Sequence, residues 1–329
     1  MPKITDPPPP DVATELVELR KLLDETIPRK VLDHNVLIAT WNIRAFSDLT
    51  EKWASGADDS PKRDLHSLRI ISEIISRFDV IALQEVRGAL KALRHTLKLL
   101  NSGDEHWGLI LTDETKGSAG TWERMAFLFD QRKVNISGLA CELVVPPDQL
   151  ESIKPAALRR QFARTPYAVS FRSATRTFIL VTLHVLYGKN EEQRLPEVQA
   201  IAEWLAEWAR DINSWDHNLI ALGDFNIDRK DDLLYQAFTS TGLFTPNDLN
   251  KVPRTIFSDP FEPEKDKFYD QIAWFMGDRG VPALSMKYNR GGSFDFLKVA
   301  LKSRGLEKDQ ISWRISDHYP LWAEFLVND

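Results

Sequence analysis

Short, nearly continuous apolar runs alternate with amphipathic stretches along most of this chain. NVLIATWNI from Asn35 and DVIALQEV from Asp79 are apolar at almost every position, as strands buried on both faces are. Between them, RDLHSLRIISEIISRF repeats its apolar residues at helical spacing, and a second helix is expected over roughly 88–101. Further strand candidates are WGLILTD, ERMAFLFD, KVNISGLACELVV, YAVSFRS, RTFILVTLHV, HNLIALGDF, FYDQIAWFM and PLWAEFLV. A long helix around PEVQAIAEWLAEWARDI places Val198, Ile201, Leu205, Trp208 and Ile212 on one stripe. Continuous and alternating strands together predict two packed sheets flanked by helices, not one parallel sheet. GGSFD at 291 reads as a loop. Upstream, residues 1–10 form a Pro-rich leader, and Val12, Leu16, Leu19 and Leu23 mark a helix ending at Pro28. That helix reads as lying on the domain, the alternative being a helix offered to a partner. The expected division is a leader and helix over 1–30 and one domain over 31–329.

A hydrophobic content of 43% supports a full core. The net charge of -6 argues against a protein that coats polyanions, while leaving room for a local basic groove. Cys141 is the single cysteine, so no internal disulfide can form. MPKITDPPPP has no apolar signal region, and no stretch approaches the roughly 20 apolar residues of a spanning helix. The expectation is a cytoplasmic protein without membrane attachment. There is no internal repeat, Gly-rich phosphate loop, Cys/His zinc spacing or Ser–His–Asp elbow.

The apolar runs end repeatedly in residues that can do chemistry. LIATWN ends in Asn42, VIALQE in Glu85, ILVTLH in His184, and LIALGDFN in Asp224 and Asn226; FYD brings Asp270, and ISDH brings Asp317 and His318. A single strand-end Asn or Asp is usually a turn or cap, and a single His is usually structural. Their recurrence, in layered folds that gather sites at strand ends, points to one site. Carboxylates and an amide oxygen suit a hard cation such as Mg²⁺, and histidines move protons near neutral pH, so the set fits metal-assisted hydrolysis.

In order, TWNIRAF, ALQEVRG, ERMAFLF, FARTPYAVSF, LHV, GDFNID, FYDQIAWF, SFDF and ISDHYPL resemble the endonuclease/exonuclease/phosphatase family, and its deoxyribonuclease I branch most closely. The resemblance runs from about Asn35 to Val327. It implies a four-layer α/β sandwich, two mixed sheets flanked by helices, with the site at the top of both sheets. It implies that Glu85 binds the metal, Mg²⁺ with Mn²⁺ or Ca²⁺ as alternatives, with Asn42 and Asp317 as second ligands or positioners. Asp224 and Asn226 would orient the attacking water and hold the scissile phosphate. His184 would pair with Glu123, and His318 with Asp270, each carboxylate fixing a ring tautomer.

The resemblance also assigns Arg44, Arg87 and Arg164 to nucleic acid, as guanidinium forks that bind phosphate well. Arg87, Lys91, Arg94 and Lys98 recur at helical spacing and would form one basic face, unless they are simply solvated charges. Thr255 is a further phosphate-contact candidate. The chain departs from the branch at Thr121, where a stacking tyrosine stands in the relatives and Trp122 is the substitute candidate, and it lacks their disulfide cysteines. The activity implied is a Mg²⁺-dependent endonuclease cutting DNA with little sequence specificity. The alternatives are a phosphoesterase for an inositol phosphate, sphingomyelin or a nucleotide, and a non-enzymatic module on the same scaffold.

Overall fold

A computed structural model describes residues 2–115, 122–143, 164–188, 190–211, 215–216, 218–259 and 261–328. Two six-stranded mixed sheets pack face to face. The first contains β1 (Asn35–Phe46), β2 (Val80–Arg87), β3 (Trp107–Leu111), β4 (Glu123–Asp130), β11 (Lys287–Ser293) and β12 (Leu321–Leu326), in the order β11-β12-β1-β2-β4-β3. The second contains β5 (Asn135–Glu142), β6 (Tyr167–Ser173), β7 (Arg176–His184), β8 (Leu219–Asp224), β9 (Leu243–Phe244) and β10 (Asp270–Phe275), in the order β5-β6-β7-β8-β10-β9. Each sheet has one parallel central pair, β1 with β2 and β7 with β8, and antiparallel neighbours around it.

The two-residue strand period decides the layers. Val36, Ile38, Val80 and Ala82 face the second sheet, where Phe171, Leu180, Ile220 and Ile272 meet them. Leu37, Ala39, Trp41, Ile81 and Leu83 face the opposite way, toward the helices α1 (Pro10–Thr26), α2 (Leu65–Ile75) and α3 (Lys91–Leu100). On the far side, α4 (Glu191–Arg210) and α5 (Leu233–Thr239) cover the second sheet through Val198, Ile201, Leu205, Leu234 and Phe238. The result is a four-layer α/β sandwich. The apolar stripe of α1 is not offered to a partner: Val12, Leu16, Leu19 and Leu23 are buried in the same cluster as α2.

Three readings of local structure need correction. Gly291, Gly292 and Ser293 are not a loop but part of edge strand β11, paired with β12. Gly291 has no space for a side chain, since a Cβ there would lie 2.6 Å from Leu249 and 2.8 Å from the Trp322 carbonyl. Arg87 does not belong to the helix; it ends β2, and α3 carries only Lys91, Arg94 and Lys98 of the expected basic face. The long helix begins at Glu191, five residues before Pro196, because Asn190 accepts from the Gln193 amide and caps it there. Thr121 and Ile212 lie outside the described residues.

Candidate functional site

The strand ends named from the sequence meet at one rim of the sandwich. Parallel β1, β2, β7 and β8 end there, and antiparallel β4, β10 and β12 begin there. Register does much of the placement: His184 pairs across with Asp224, and Asp224 with Asp270, so these three stand in a row over the second sheet. In the first sheet Arg87 stands opposite Glu123. Gly223 lets β8 run close to β7, because a Cβ there would lie 2.1 Å from the Leu183 carbonyl and its φ is +139°.

Glu85 is turned into the site by the backbone. It has φ +59° and sits within a register shift between Leu83 and Val86, the geometry of a bulge that re-aims a side chain. Left-handed conformations at non-glycine residues cost about 1–3 kcal/mol and collect at functional sites; Asn226, with φ +49°, is another. Glu85 Oε2 accepts from the Ala45 amide at 2.9 Å and from Arg87 at 2.8 Å.

Around Asp224 the contacts are close. Its Oδ2 accepts from Asn42 Nδ2 at 2.9 Å and lies 3.6 Å from His184 Nε2 and 3.9 Å from His318 Nε2. Its Oδ1 accepts from the Asn226 amide at 2.9 Å. Each ring is backed at Nδ1 by a buried carboxylate: Glu123 Oε2 is 2.8 Å from His184, and Asp270 Oδ2 is 2.6 Å from His318. Burial alone would push His318 down, but the charge and hydrogen bond of Asp270, with Asp224 and Asp317 beyond, raise it to about 10. His318 is an imidazolium at neutral pH.

A cavity of about 740 Å³ opens over these groups and is lined by Asn42, Glu85, His184, Asp224, Asp317 and His318, among others. The donors fit a hard cation. Asn42 Oδ1 is buried with no hydrogen-bond partner, while Nδ2 of the same amide is engaged, so a free oxygen acceptor stands next to Glu85 on the neighbouring strand. Among the described residues no three His, Cys, Asp or Glu side chains form a metal-binding group. A cation here would therefore keep several waters, as Mg²⁺ characteristically does.

The arginines divide. Arg87 bridges Glu85 and Glu123, at 2.8 and 2.7 Å, and lines the cavity. Arg164 also lines the cavity but is largely buried: Nε lies 2.5 Å from Glu123, and Nη1 donates to the His184 carbonyl at 3.3 Å. Arg44 stacks on Trp313 at 3.7 Å, donates to Ser312 at 2.7 Å and stands 3.8 Å from Asp317. Thr255 reaches the cavity through a bridge to His318.

Several contributors were not legible in the sequence. Tyr269 lies against the His318 ring, and Tyr187 against Tyr269. Gln84 links Thr40 and Thr182 between the sheets below the site. Arg63 and Arg254 are fully buried beneath it. Tyr269 and Gln84 carried a signal, each one residue before a strand-end carboxylate, Asp270 and Glu85.

The endonuclease/exonuclease/phosphatase family model matches residues 39–318. The chain belongs to that family. Its members hydrolyse phosphoesters and generally use divalent metal ions. A Thioalkalivibrio protein described as a deoxyribonuclease is 26% identical over 298 residues, 88% of this chain and 71% of that protein. An endonuclease/exonuclease/phosphatase family protein from Bacteroides thetaiotaomicron superposes with a TM-score of 0.56 at 18% identity, over 89% of this chain and 98% of that one. A mannosyl-6-phosphatase from the same species gives 0.55 at 18%, over 88% and 99%. Nuclease and sugar phosphatase both occur among these similar proteins, so membership of the family does not choose the substrate. No described helix is long and apolar enough to cross a membrane.

Proposed function

We propose that this protein is a Mg²⁺-dependent phosphodiesterase that hydrolyses DNA as an endonuclease of low sequence specificity. The observation that carries it is the pair of carboxylate-backed histidines whose Nε2 atoms face one oxygen of Asp224, beside Asn42 and Glu85. In this reading Asp224 orients the attacking water and accepts its proton, with Asn226 setting the loop. His184 and His318 donate to phosphoryl oxygens, and Glu123 and Asp270 hold their tautomers. Glu85, Asn42 and Asp317 would hold Mg²⁺, which when bound would supply positive charge against the negative charge that develops at the phosphate. Arg87 supports Glu85 and Glu123 and meets the phosphate backbone; Arg164 positions Glu123. Arg44, stacked on Trp313 beside Asp317, meets the backbone in this reading. The deoxyribonuclease-named relative favours DNA over a small phosphate ester. The single Cys141 suits a cytoplasmic setting.

The test is a substrate panel of supercoiled plasmid, single-stranded DNA, RNA, inositol phosphates and sugar phosphates, each with Mg²⁺ or chelator. Expected are plasmid nicking that chelator abolishes and that His184→Ala or His318→Ala reduces by about 10²–10⁴-fold. Efficient turnover of a small phosphate ester with no cleavage of polymer overturns the nuclease reading.

A further inference from the structure

A second cavity, of about 770 Å³, adjoins the first, and Ser258, Asp266 and Lys267 line both. Three exposed cations, Arg229, Lys230 and Lys251, stand around it, over apolar surface from Val252, Pro253 and Phe268. Its two acidic residues are hydrogen-bonded to neutral donors. Asp266 accepts from the Asp259 amide at 3.3 Å, and Asp295 accepts from the Leu297 amide at 3.1 Å and is hydrogen-bonded with Tyr319. Lys267 is paired with Asp228 at 2.7 Å. Arg229, Lys230 and Lys251, by contrast, make no ion pair with a described carboxylate. In a chain of net charge -6, a hollow lined by Arg229, Lys230, Lys251 and Lys267 against Asp266 and Asp295 carries a local excess of positive charge.

The cations are tied to the strand-end site by short stretches of chain. Arg229 and Lys230 follow closely on Asn226. Lys251 lies in a segment clamped by Arg254, which donates to the carbonyls of Leu249 and Val252 at 2.6 Å and of Asp270 at 2.9 Å. The trough is thus held in register with the row that contains Asp270 and Asp224. A small phosphate ester seated in the first cavity has no further phosphate to place in the second. A polynucleotide with its scissile phosphate in the first carries further phosphates outward.

We infer that this trough is a subsite for the phosphates flanking the scissile bond on a nucleic-acid strand, read through charge and not through base edges. The inference deepens the nuclease reading and rests on it. The test is the triple variant Arg229→Ala, Lys230→Ala, Lys251→Ala, compared with the parent protein on plasmid and on bis(p-nitrophenyl) phosphate across a salt series. Expected are an unchanged rate on the small diester and a kcat/KM on plasmid lowered roughly ten- to hundredfold through KM. The log–log salt slope of plasmid binding becomes shallower by about 2–3, near one for each phosphate that no longer meets a cation. Lys230→Glu alone weakens plasmid cleavage more than Lys230→Ala. If the parent nicks plasmid and the variant nicks it equally, with the same salt slope, the trough is refuted and the nuclease reading stands. Equal losses on plasmid and small diester also refute it, since the residues would then act on the site itself. If the parent neither binds nor cuts polymer, both readings fall.

Discussion

Asp270→Asn separates what this carboxylate does from the space it fills. The side chains are nearly isosteric, so the packing around this fully buried residue survives, and the bond from Arg254 to the Asp270 carbonyl is a backbone contact that the change leaves alone. What changes is the 2.6 Å contact with His318 Nδ1. Burial favours the neutral ring, and the Asp270 charge is the largest influence raising it to about 10; without that charge, His318 moves down. The new amide then either donates into Nδ1, leaving a neutral ring, or accepts from it, leaving no proton on Nε2. In both cases His318 is no longer a charged donor at Nε2. The expected loss in kcat is about 10²–10⁴-fold, or about 3–5 kcal/mol at 1.36 kcal/mol per factor of ten. Folding loses less, about 1–3 kcal/mol for one altered buried hydrogen bond. The pH dependence has a definite sign. A histidine raised on folding adds stability that is fully present below its ordinary value of about 6.5, and that stability is lost as pH rises through about 10. Measured in chelator, the stability gap between parent and variant is therefore widest below about pH 6.5 and closes on the alkaline side. The assays are plasmid nicking, diester turnover and thermal unfolding across pH. Unchanged turnover in a folded variant refutes the role given to the pair.

Asn42→Ala removes the free buried acceptor beside Glu85 and the donor to Asp224, so Mg²⁺ affinity falls about 10–100-fold, read by calorimetric titration; an unaltered Mg²⁺ constant refutes the donor assignment. Leu23→Ala opens a cavity where α1 meets the core and lowers stability by about 2–5 kcal/mol in urea unfolding, because Leu23 is completely buried. A negligible change would show that the N-terminal helix is dispensable to the core. Gly223→Ala drives a Cβ into the Leu183 carbonyl and costs about 4 kcal/mol or more, or prevents folding; soluble protein of normal stability would mean that β7 and β8 do not approach as described.

The site was more legible than its support. Asn42, Glu85, His184, Asp224 and Asp270 stand out in the sequence because each interrupts or ends an apolar run, and a polar group at a buried strand end requires a partner. Their pairing follows from register, which the hydrophobic pattern sets. Other features carried no such contrast. Gly291 and Gly292 read as a loop because composition cannot report that an edge strand passes too close to Leu249 for a side chain. Arg164 read only as a substrate contact because a guanidinium suits phosphate and a buried carboxylate equally well; that it pairs with Glu123 while lining the cavity needed the three-dimensional position of Glu123.

Arg63 and Arg254 show why such support is hidden. Both are fully buried, and burial is the leading cause that lowers each to about 10, so both remain cationic at neutral pH. Neither makes an ion pair with a described carboxylate. Arg63 instead donates to the carbonyls of Arg44, Ala45, Arg314 and Ile315, at 2.7–3.1 Å. These are the stretches that follow Asn42 and precede Asp317. Ala45 in turn gives its amide to Glu85. The need arises from the site itself. Functional side chains sit where strands leave the sheet, so the backbone there loses its ladder partners while staying shielded from water. Each stranded carbonyl would cost about 1–3 kcal/mol. A guanidinium carries five donors in a rigid fork and can satisfy several carbonyls from two separate segments at once, which no apolar side chain and no lysine can do as compactly. The buried arginines are thus a consequence of placing irregular backbone inside the protein, and Arg63 joins the two stretches of chain that carry Asn42 and Asp317.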